Sequence, residues 1–144
     1  MDELSRYEKG FKFEMEVQRA LNHLKISYQG NPRDYNEWLR NKGQGADLIL
    51  ENVEVECKYL TSRVYPSWIL RDYIPRFSFT KKYNIIVTNY KWFIPRDCRK
   101  MLYQRGITVM SIYEFIWLLT KQHRDLNKIG FSNYVNSSLN NMIV

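Results

Sequence analysis

The sequence contains few of the residues that build disulfide frameworks or zinc sites. Its 144 residues include two cysteines, Cys57 and Cys98, and two histidines. Two cysteines give no disulfide framework, and no Cys or His pair has the spacing of zinc ligands. Cys57 falls on the apolar face of a predicted strand, where a small buried thiol is ordinary. These features argue against a disulfide-rich secreted scaffold and indicate a reducing, cytoplasmic environment.

Long apolar segments are also missing. The longest apolar run, Phe115 to Leu119, is far too short to span a bilayer, and the charged stretch from Met1 to Gly10 does not resemble a secretory signal. No Gly-x-x-x-x-Gly-Lys-Ser/Thr loop is present, which argues against ATP use. We therefore expect a soluble, single-domain protein with no membrane partner and no nucleotide cofactor.

Acidic residues are scarce in the middle of the chain. The stretch from Met1 to Lys58 has nine Lys or Arg residues and eleven Asp or Glu residues. The stretch from Tyr59 to Arg105 has ten basic residues, and its acidic residues are only Asp72 and Asp97. An acidic half joined to a basic half suits an enzyme acting on phosphodiesters, because cations hold the backbone while carboxylates hold a metal. A generally basic surface that serves solubility is the alternative. We expect a nucleic acid, DNA in particular, as the partner.

Two carboxylates and a lysine are predicted to meet on one β-hairpin. Strand alternation places Glu54, Glu56 and Lys58 on one face, opposite an apolar face. If residues 51–52 form a two-residue turn, Asp47 lies opposite Glu56. Opposed carboxylates are destabilising unless something neutralises them, and a hard divalent cation does so with oxygen ligands. The pattern therefore predicts a metal site.

A simpler interpretation of the same strand stays open. The charged residues can form the solvated face of an antiparallel strand, with Lys58 as an edge charge that discourages aggregation. In either case we expect Glu54 to be a neighbour of the site and not a ligand.

The first predicted helix, from Glu3 to Lys25, offers a further carboxylate. At ~100° per residue, Glu14 lies about 20° from Leu21 and so borders the buried apolar stripe, an awkward position for a carboxylate without a partner. Glu14 is the predicted helix ligand. Glu16 borders the other edge of the stripe and is the alternative, and either residue can be a simple surface charge.

These motifs resemble those of the PD-(D/E)XK nuclease superfamily, in which an acidic residue is followed, on the next strand, by (D/E)-x-K. Here the match is Asp47 followed by Glu56-Cys57-Lys58, and the stretch from Lys9 to Glu14 resembles the first helix of archaeal Holliday junction resolvases. The resemblance covers about residues 7 to 60, and residues 29–45 are longer than the corresponding linker in those resolvases.

The resemblance agrees with a division of roles that phosphodiester hydrolysis itself suggests. Asp47 and Glu56 would bind Mg²⁺, with Mn²⁺ as a substitute, and Glu14 would hold it directly or through water. Lys58 would position or activate the attacking water. Six basic residues are predicted to contact nucleic acid: Arg33, Arg40, Lys42, Arg63, Lys81 and Lys82.

Residues 29–45 read as a long polar loop with one helical turn around residues 36–40. Its basic and aromatic side chains suit phosphate contact and base stacking, so the loop is expected to be functional. Trp38 can either stack on a base or pack the loop onto the body of the protein, and the sequence favours neither.

The remaining elements complete an α/β fold. Strands are predicted at 26–28, 83–87 and 107–110, and helices after a Ser67 cap, over 95–105, and from a Ser111/Glu114 capping box to about Lys121. The order α-β-β-β-α-β-α-β-α predicts a restriction endonuclease-like core, a central mixed β-sheet flanked by helices (α-β-β-β-α-β) with an appended α-β-α. The nuclease-like domain is predicted to span 1–126, and 127–144 to form a polar tail.

Three functions are compatible with these patterns. The leading one is a metal-dependent endonuclease selective for branched DNA such as four-way junctions, acting as a homodimer because symmetric cutting of two strands requires two active sites. The second is a restriction-type or repair nuclease acting on linear duplex or single-stranded DNA. The third is a nucleic-acid-binding protein of the same fold that does not cut.

Overall fold

A computed structural model describes residues 5–42 and 45–122, which form a five-stranded mixed sheet flanked by helices. Its elements are α1 (Arg6–His23), β1 (Gln29–Gly30), α2 (Tyr35–Asn41), β2 (Leu48–Ile49), β3 (Val53–Lys58), α3 (Pro66–Trp68), β4 (Tyr83–Thr88), α4 (Arg96–Gln104), β5 (Ile107–Ser111) and α5 (Ile112–Gln122). A π-helical turn (Ile69–Tyr73) and a 3₁₀ turn (Ile74–Arg76) continue α3, and another 3₁₀ turn covers Lys91–Phe93.

The strands lie in the sheet in the order in which they occur in the chain, β1-β2-β3-β4-β5. The pairs β1–β2 and β2–β3 are antiparallel, whereas β3–β4 and β4–β5 are parallel. Parallel neighbours need a crossover, and here helices supply it: α3 with its extension before β4, and α4 before β5. The predicted α/β class and the mixed sheet are confirmed.

The β2–β3 hairpin has the predicted register. Leu48 pairs with Val55 and Ile49 with Glu54. The backbone N–H of Leu50 donates to the carbonyl oxygen of Val53 at 2.8 Å, which closes a turn at residues 51–52. Extending this register by one pair sets Asp47 opposite Glu56.

Helices cover both faces of the sheet. Phe13 of α1 and Phe115 of α5 belong to one buried cluster with Val55 of β3. A second cluster joins the α3 extension and α4 to other strand residues, among them Ile69, Leu102 and Ile86. Glu54 and Glu56 are each only 3% exposed, so the interpretation of β3 as a solvated face is wrong. Parallel sheets covered on both sides bury both faces of their strands.

The beginning of the chain follows the prediction with shorter bounds. Helix α1 starts after Ser5, whose hydroxyl accepts the backbone N–H of Glu8, and it ends before Lys25, which has a positive φ of 58°. Residues 1–4 lie outside the described residues. A residue in the left-handed region ends a helix because it turns the chain away from the helical path.

Two local predictions are wrong, and a third is correct in position but too short. Residues 26–28 do not form a strand; β1 is Gln29–Gly30. The helical turn expected around residues 36–40 is part of the longer helix α2, Tyr35–Asn41, which is capped by Asp34, whose carboxylate accepts two backbone N–H groups. Ser67 caps nothing, because α3 begins one residue earlier at Pro66, whose fixed φ suits the first position of a helix.

The last helix begins as predicted. Ser111 Oγ accepts the backbone N–H of Glu114, and the Glu114 carboxylate accepts the backbone N–H of Ser111, each at 3.1 Å. This reciprocal capping box starts α5 directly after β5. Among the helices in the described ranges, none combines the length and apolar character needed to cross a bilayer. The predicted tail, 127–144, lies outside the described residues.

Candidate functional site

Asp47 and Glu56 meet where the β2–β3 hairpin opens, just before β2 and near the end of β3. The Asp47 backbone N–H donates to Glu56 Oε1 at 3.2 Å. In return, the backbone N–H of Cys57 donates to Asp47 Oδ2 at 2.8 Å. Backbone-to-side-chain bonds therefore continue the hairpin past its last strand pair, and they orient both carboxylates.

Glu14 joins this pair from α1. It is 1% exposed, and the Asn31 side chain links it to Asp47, since Asn31 Nδ2 lies 3.4 Å from Glu14 Oε1 and 3.1 Å from Asp47 Oδ1. Glu16 is exposed. Of the two helix carboxylates considered from the sequence, Glu14 is the one that reaches Asp47.

The surroundings of Glu14 favour its protonated form. Burial, reinforced by the negative charge of Asp47, raises the pKa of Glu14 from 4.5 to about 9. The side chains of Trp38 and Asn31 oppose this rise in pKa. Both Trp38 Nε1 and Glu14 Oε2 are buried and make no hydrogen bond within the described residues. One carboxylate oxygen of Glu14 is therefore open to a further ligand.

Glu56 is buried between the hairpin and two cations. Lys58 Nζ lies 3.3 Å and Arg76 Nε 3.7 Å from Glu56 Oε2. Burial and the charge of Asp47 raise the pKa of Glu56, and the ammonium of Lys58 opposes that rise. The ion pairs compensate part of the cost of placing this carboxylate in the protein interior.

Arg76 was not among the predicted site residues. It ends the helical segment that follows α3, in which the Ile74 N–H bonds to the carbonyl of Ile69 in a wide π turn before Pro75. Arg76 Nε also donates to the carbonyl oxygen of Asp72 at 3.2 Å, which holds the guanidinium beside Glu56. No local sequence signal indicates this contact, because it joins residues twenty positions apart.

The same helical segment supports Lys58. Lys58 Nζ, which lies beside Glu56, is 4.9 Å from the centroid of the ring of Tyr73, a residue of this segment. An ammonium over an aromatic face is attracted by the ring quadrupole. The lysine head group is therefore held at the end of β3 by an anion and a ring.

Gln18 positions the link between Glu14 and Asp47, and it too was missed. It is 2% exposed; its Nε2 donates to the Asn31 carbonyl at 3.1 Å, and its Oε1 accepts from the Tyr28 hydroxyl at 3.3 Å. A signal was present, since Gln18 follows Glu14 by four residues and so lies on the same helix face. A polar residue one turn from a predicted ligand on a buried face is a candidate support.

The donor set fits a hard divalent cation. Glu14, Asp47 and Glu56 offer only carboxylate oxygens, which suit Mg²⁺ or Mn²⁺ better than Zn²⁺. Their present arrangement is not a closed site: within 5–42 and 45–122, no three acidic, His or Cys side chains are close enough together to hold a metal ion. Glu56 would have to exchange its contact with Lys58 for one with the ion.

Three predicted nucleic-acid contacts, Arg33, Arg40 and Lys42, are exposed on the α1–α2 side. Arg33 Nε lies 3.5 Å from Gln18 Oε1, within the network that supports the carboxylates. Lys42 Nζ lies 3.8 Å from the centroid of the Tyr7 ring. At least Arg33 is therefore close to the candidate site.

Lys81 and Lys82 lie at the other end of the sheet. Lys81 Nζ donates to the Glu51 carbonyl at the hairpin turn, just before β4. Lys58, by contrast, pairs with Thr88 at the other end of β4. Thr88 lies five residues past Tyr83, where β4 begins, so at ~3.3 Å per residue the two ends of the strand are ~16 Å apart. Neither lysine is brought to the carboxylates. Arg63 is exposed in the segment after β3.

Glu54 and Trp38 have structural surroundings. Glu54 accepts the hydroxyl of Ser78 at 2.6 Å and its backbone N–H, in keeping with the expectation that it is a neighbour of the site. Trp38 is 7% exposed, and its ring centroid lies 5.6 Å from that of Phe11 on α1. Trp38 therefore packs α2 onto α1 and is not available to stack on a base.

Comparison with known proteins assigns this chain to no family. No family model matches the sequence, and neither a curated protein nor a solved structure matches it. The likeness to PD-(D/E)XK nucleases is carried by the motifs around Glu14, Asp47, Glu56 and Lys58 alone. A functional assignment has to be supported by the geometry of these four residues.

Proposed function

We propose that this protein is a metal-dependent DNA endonuclease of the PD-(D/E)XK type, which hydrolyses phosphodiester bonds. The observation that carries this proposal is the hairpin register, which sets Asp47 opposite Glu56. Lys58 follows on the same strand, and Glu14 approaches Asp47 through Asn31. Two buried carboxylates, Glu14 and Glu56, on either side of the half-buried Asp47 are costly unless they serve a bound cation or a proton.

The cation would be held by Asp47 and Glu56, with Glu14 contributing the oxygen that makes no hydrogen bond to the part of the chain that the structure describes. When bound, Mg²⁺ would neutralise charge that builds on the phosphate and lower the pKa of water enough to supply a nucleophile at neutral pH. Binding requires deprotonated carboxylates, so the raised pKa values of Glu14 and Glu56 imply that protons are released as the ion binds.

Lys58 would position the attacking water. Its ammonium is held at the end of β3 by Glu56 and the Tyr73 ring, and only a fifth of the side chain is exposed. Once Glu56 turns to the cation, Lys58 has free N–H donors at the mouth of the site. Arg76, also beside Glu56, can then balance charge on the phosphate.

Branched DNA, such as a four-way junction cut by a homodimer, is the substrate we place first, on the likeness of the Lys9–Glu14 stretch to junction resolvases. Linear duplex or single-stranded DNA, cut in a restriction or repair role, is the alternative with the same chemistry. A protein that binds nucleic acid without cutting is supported by one observation: Lys58 and Arg76 already neutralise Glu56 in the absence of a metal.

Cleavage of labelled DNA tests this function. Four-way junctions, linear duplexes and single strands are incubated with Mg²⁺ or Mn²⁺, using the wild type, Asp47→Asn and Glu56→Gln. We expect cleavage by the wild type and a loss of at least about 10³-fold in both variants, because each removes a charged ligand. Glu51→Gln is the matched control, since this exposed carboxylate lies at the hairpin turn, at the other end of β3 from Glu56.

The substrate pattern separates the alternatives. Paired cuts restricted to the junction would support a resolvase, whereas cutting of linear DNA would favour the restriction or repair role. DNA binding without cleavage under either metal would overturn the enzymatic proposal in favour of a binding protein. Cleavage that survives in both variants would show that these carboxylates are not the site.

A further inference from the structure

A cleft lies at the carboxyl ends of the parallel strands. Its volume is about 270 Å³, and its walls include Lys9 and Lys12 of α1. Tyr59 directly follows β3, Asn89 directly follows β4, and Tyr113 stands at the start of α5, two residues past β5. In open α/β sheets this edge is the usual place for ligands.

The cleft shares two elements with the catalytic residues. Phe13, which lines it, precedes Glu14 on α1, and Tyr59 directly follows Lys58 of β3. The Phe13 and Tyr59 rings contact each other, with centroids 6.1 Å apart. Glu14, Asp47, Glu56 and Lys58 do not themselves line the cleft.

The aromatic side chains of the cleft present rings to solvent. Tyr113 is 78% exposed and Tyr59 is 37% exposed, whereas Phe13, at 4%, forms the floor. Packing in the described part of the chain leaves the Tyr113 ring largely uncovered. An exposed ring beside a lysine-bearing cleft offers a surface on which a base can stack.

Positive charge continues from this cleft along α1. Lys12 also lines a second cavity, of about 450 Å³, together with Arg19 and Arg33. Among the described residues that line these cavities, Glu16 alone is acidic. The spacing of Lys9, Lys12 and Arg19 places them on one helix face, so they form a basic track that can follow a phosphate backbone.

We infer that this cleft binds an unpaired stretch of nucleic acid, with a base stacked on Tyr113 and the backbone held by Lys12 and its basic neighbours. This rests on the nuclease function proposed above and deepens it by naming the substrate feature that the protein would recognise. The cleft is smaller than the roughly 300–1,000 Å³ that enclose a whole small ligand, which suits one nucleotide of a longer strand.

An unpaired strand fits better than an intact duplex. Bases in a duplex are stacked on each other and present only their edges, so a tyrosine ring cannot lie against a base face. Single strands, flaps and the open centre of a branch expose base faces. The predicted substrate therefore contains unpaired nucleotides.

Binding to oligonucleotides without any divalent cation tests this inference separately from cleavage. A labelled single strand and a hairpin duplex of equal length are titrated with the wild type, Tyr113→Ala and Lys12→Gln. Loss of one stacked base weakens binding about tenfold, so we expect this loss for Tyr113→Ala on the single strand and little change on the duplex.

The Lys12 variant reports on the backbone contact. Lys12→Gln should weaken binding to both DNAs and reduce the slope of log affinity against log salt by about 0.7 on the single strand, the value for one phosphate contact. Tyr103→Ala and Lys100→Gln are matched controls on α4, where Tyr103 is 46% exposed. Quenching of 2-aminopurine fluorescence in the strand, lost only in Tyr113→Ala, would identify the stacked ring.

Three results would overturn the inference: no single-strand binding at low salt, an equal loss on duplex and single strand in Tyr113→Ala, or self-association of the wild type that Tyr113→Ala abolishes while DNA binding is unchanged. The last would assign the exposed ring to a protein interface. Because no metal is present, a failure of the nuclease proposal leaves these measurements valid, and Tyr113-dependent binding would still establish the cleft.

Discussion

At the scale of single residues, the buried carboxylates lower the stability of the metal-free protein. Glu14 and Glu56 are 1% and 3% exposed, and burial is the largest cause of the raised pKa of each. Buried charges are expensive, and only Glu56 has cations close by. Under the proposed function, a bound cation would offset part of this cost.

The Glu14→Gln variant should be more stable than the wild type when no metal is present. The folded-state pKa of about 9 lies above the unfolded value near 4.5, so wild-type stability falls as pH rises between these values. The neutral amide does not titrate and can donate to Asp47. In EDTA we expect the melting temperature of Glu14→Gln to exceed that of the wild type by roughly 2–6 °C at pH 8 and to differ little from it at pH 5.

Glu16→Gln on the exposed face of the same helix provides the control and should not change the melting temperature. Added Mg²⁺ should stabilise the wild type at pH 8 and leave Glu14→Gln much less affected, because a ligand has been lost. A lower melting temperature for Glu14→Gln in EDTA at pH 8 would contradict this account of the buried carboxylate.

Lys58→Met should slow cleavage by about 10²-fold or more while DNA affinity changes little, since the proposed role of Lys58 is to position water. The rate should also need higher pH, because Lys58 opposes the rise in the pKa of Glu56. Single-turnover rates measured from pH 6 to 9 check both effects. Lys82→Met, at the far end of the sheet, is the control. An equal loss of cleavage rate in both variants would contradict the role proposed for Lys58.

At the scale of helices and strands, sequence patterns correctly predicted the features that depend on interactions between residues close in sequence. The hairpin register follows from alternation and turn length, and the start of α5 follows from a capping box, so both were predicted correctly. The same reasoning identified Glu14 on the border of a buried stripe. Each of these signals lies within about ten residues of sequence.

Contacts between distant segments were beyond such patterns. Arg76 contacts Glu56 from a segment that follows α3 and contains a π turn before Pro75. The hydrophobic periodicity of the sequence predicts neither the path of this segment nor the contact. Asn31 is placed by Gln18, a tertiary contact. The burial of Trp38 against Phe11 likewise depends on how α2 packs, and the sequence alone left two interpretations open.

The α5 capping box should be measurable as stability. Ser111→Ala removes the hydroxyl that accepts the Glu114 backbone N–H, and such caps contribute about 0.5–2 kcal/mol to the free energy of unfolding. Ser67→Ala is a matched control, because this exposed serine makes no capping bond. Urea unfolding of both variants checks the difference; equal free energies of unfolding would mean that the box is not a stabilising feature.

At the scale of the whole molecule, the proposed function constrains the number of subunits: one active site would cut one strand, whereas resolving a junction would need two. We therefore predict that the protein is a homodimer, or becomes one on a four-way junction. Sedimentation equilibrium with and without the junction measures this, with a linear duplex as the reference. A monomer that binds the junction one to one would favour the repair or restriction role over the resolvase role.

The strand order also bears on how the chain folds. Since β1 to β5 lie side by side in the order in which they are synthesised, each strand pairs with the one made just before it. Contacts close in sequence lower the entropy cost of loop closure and speed folding. The carboxylate-bearing hairpin and the helix that faces it are all made within residues 6–58, so the pairing that sets Asp47 opposite Glu56 needs no strand from the second half of the chain.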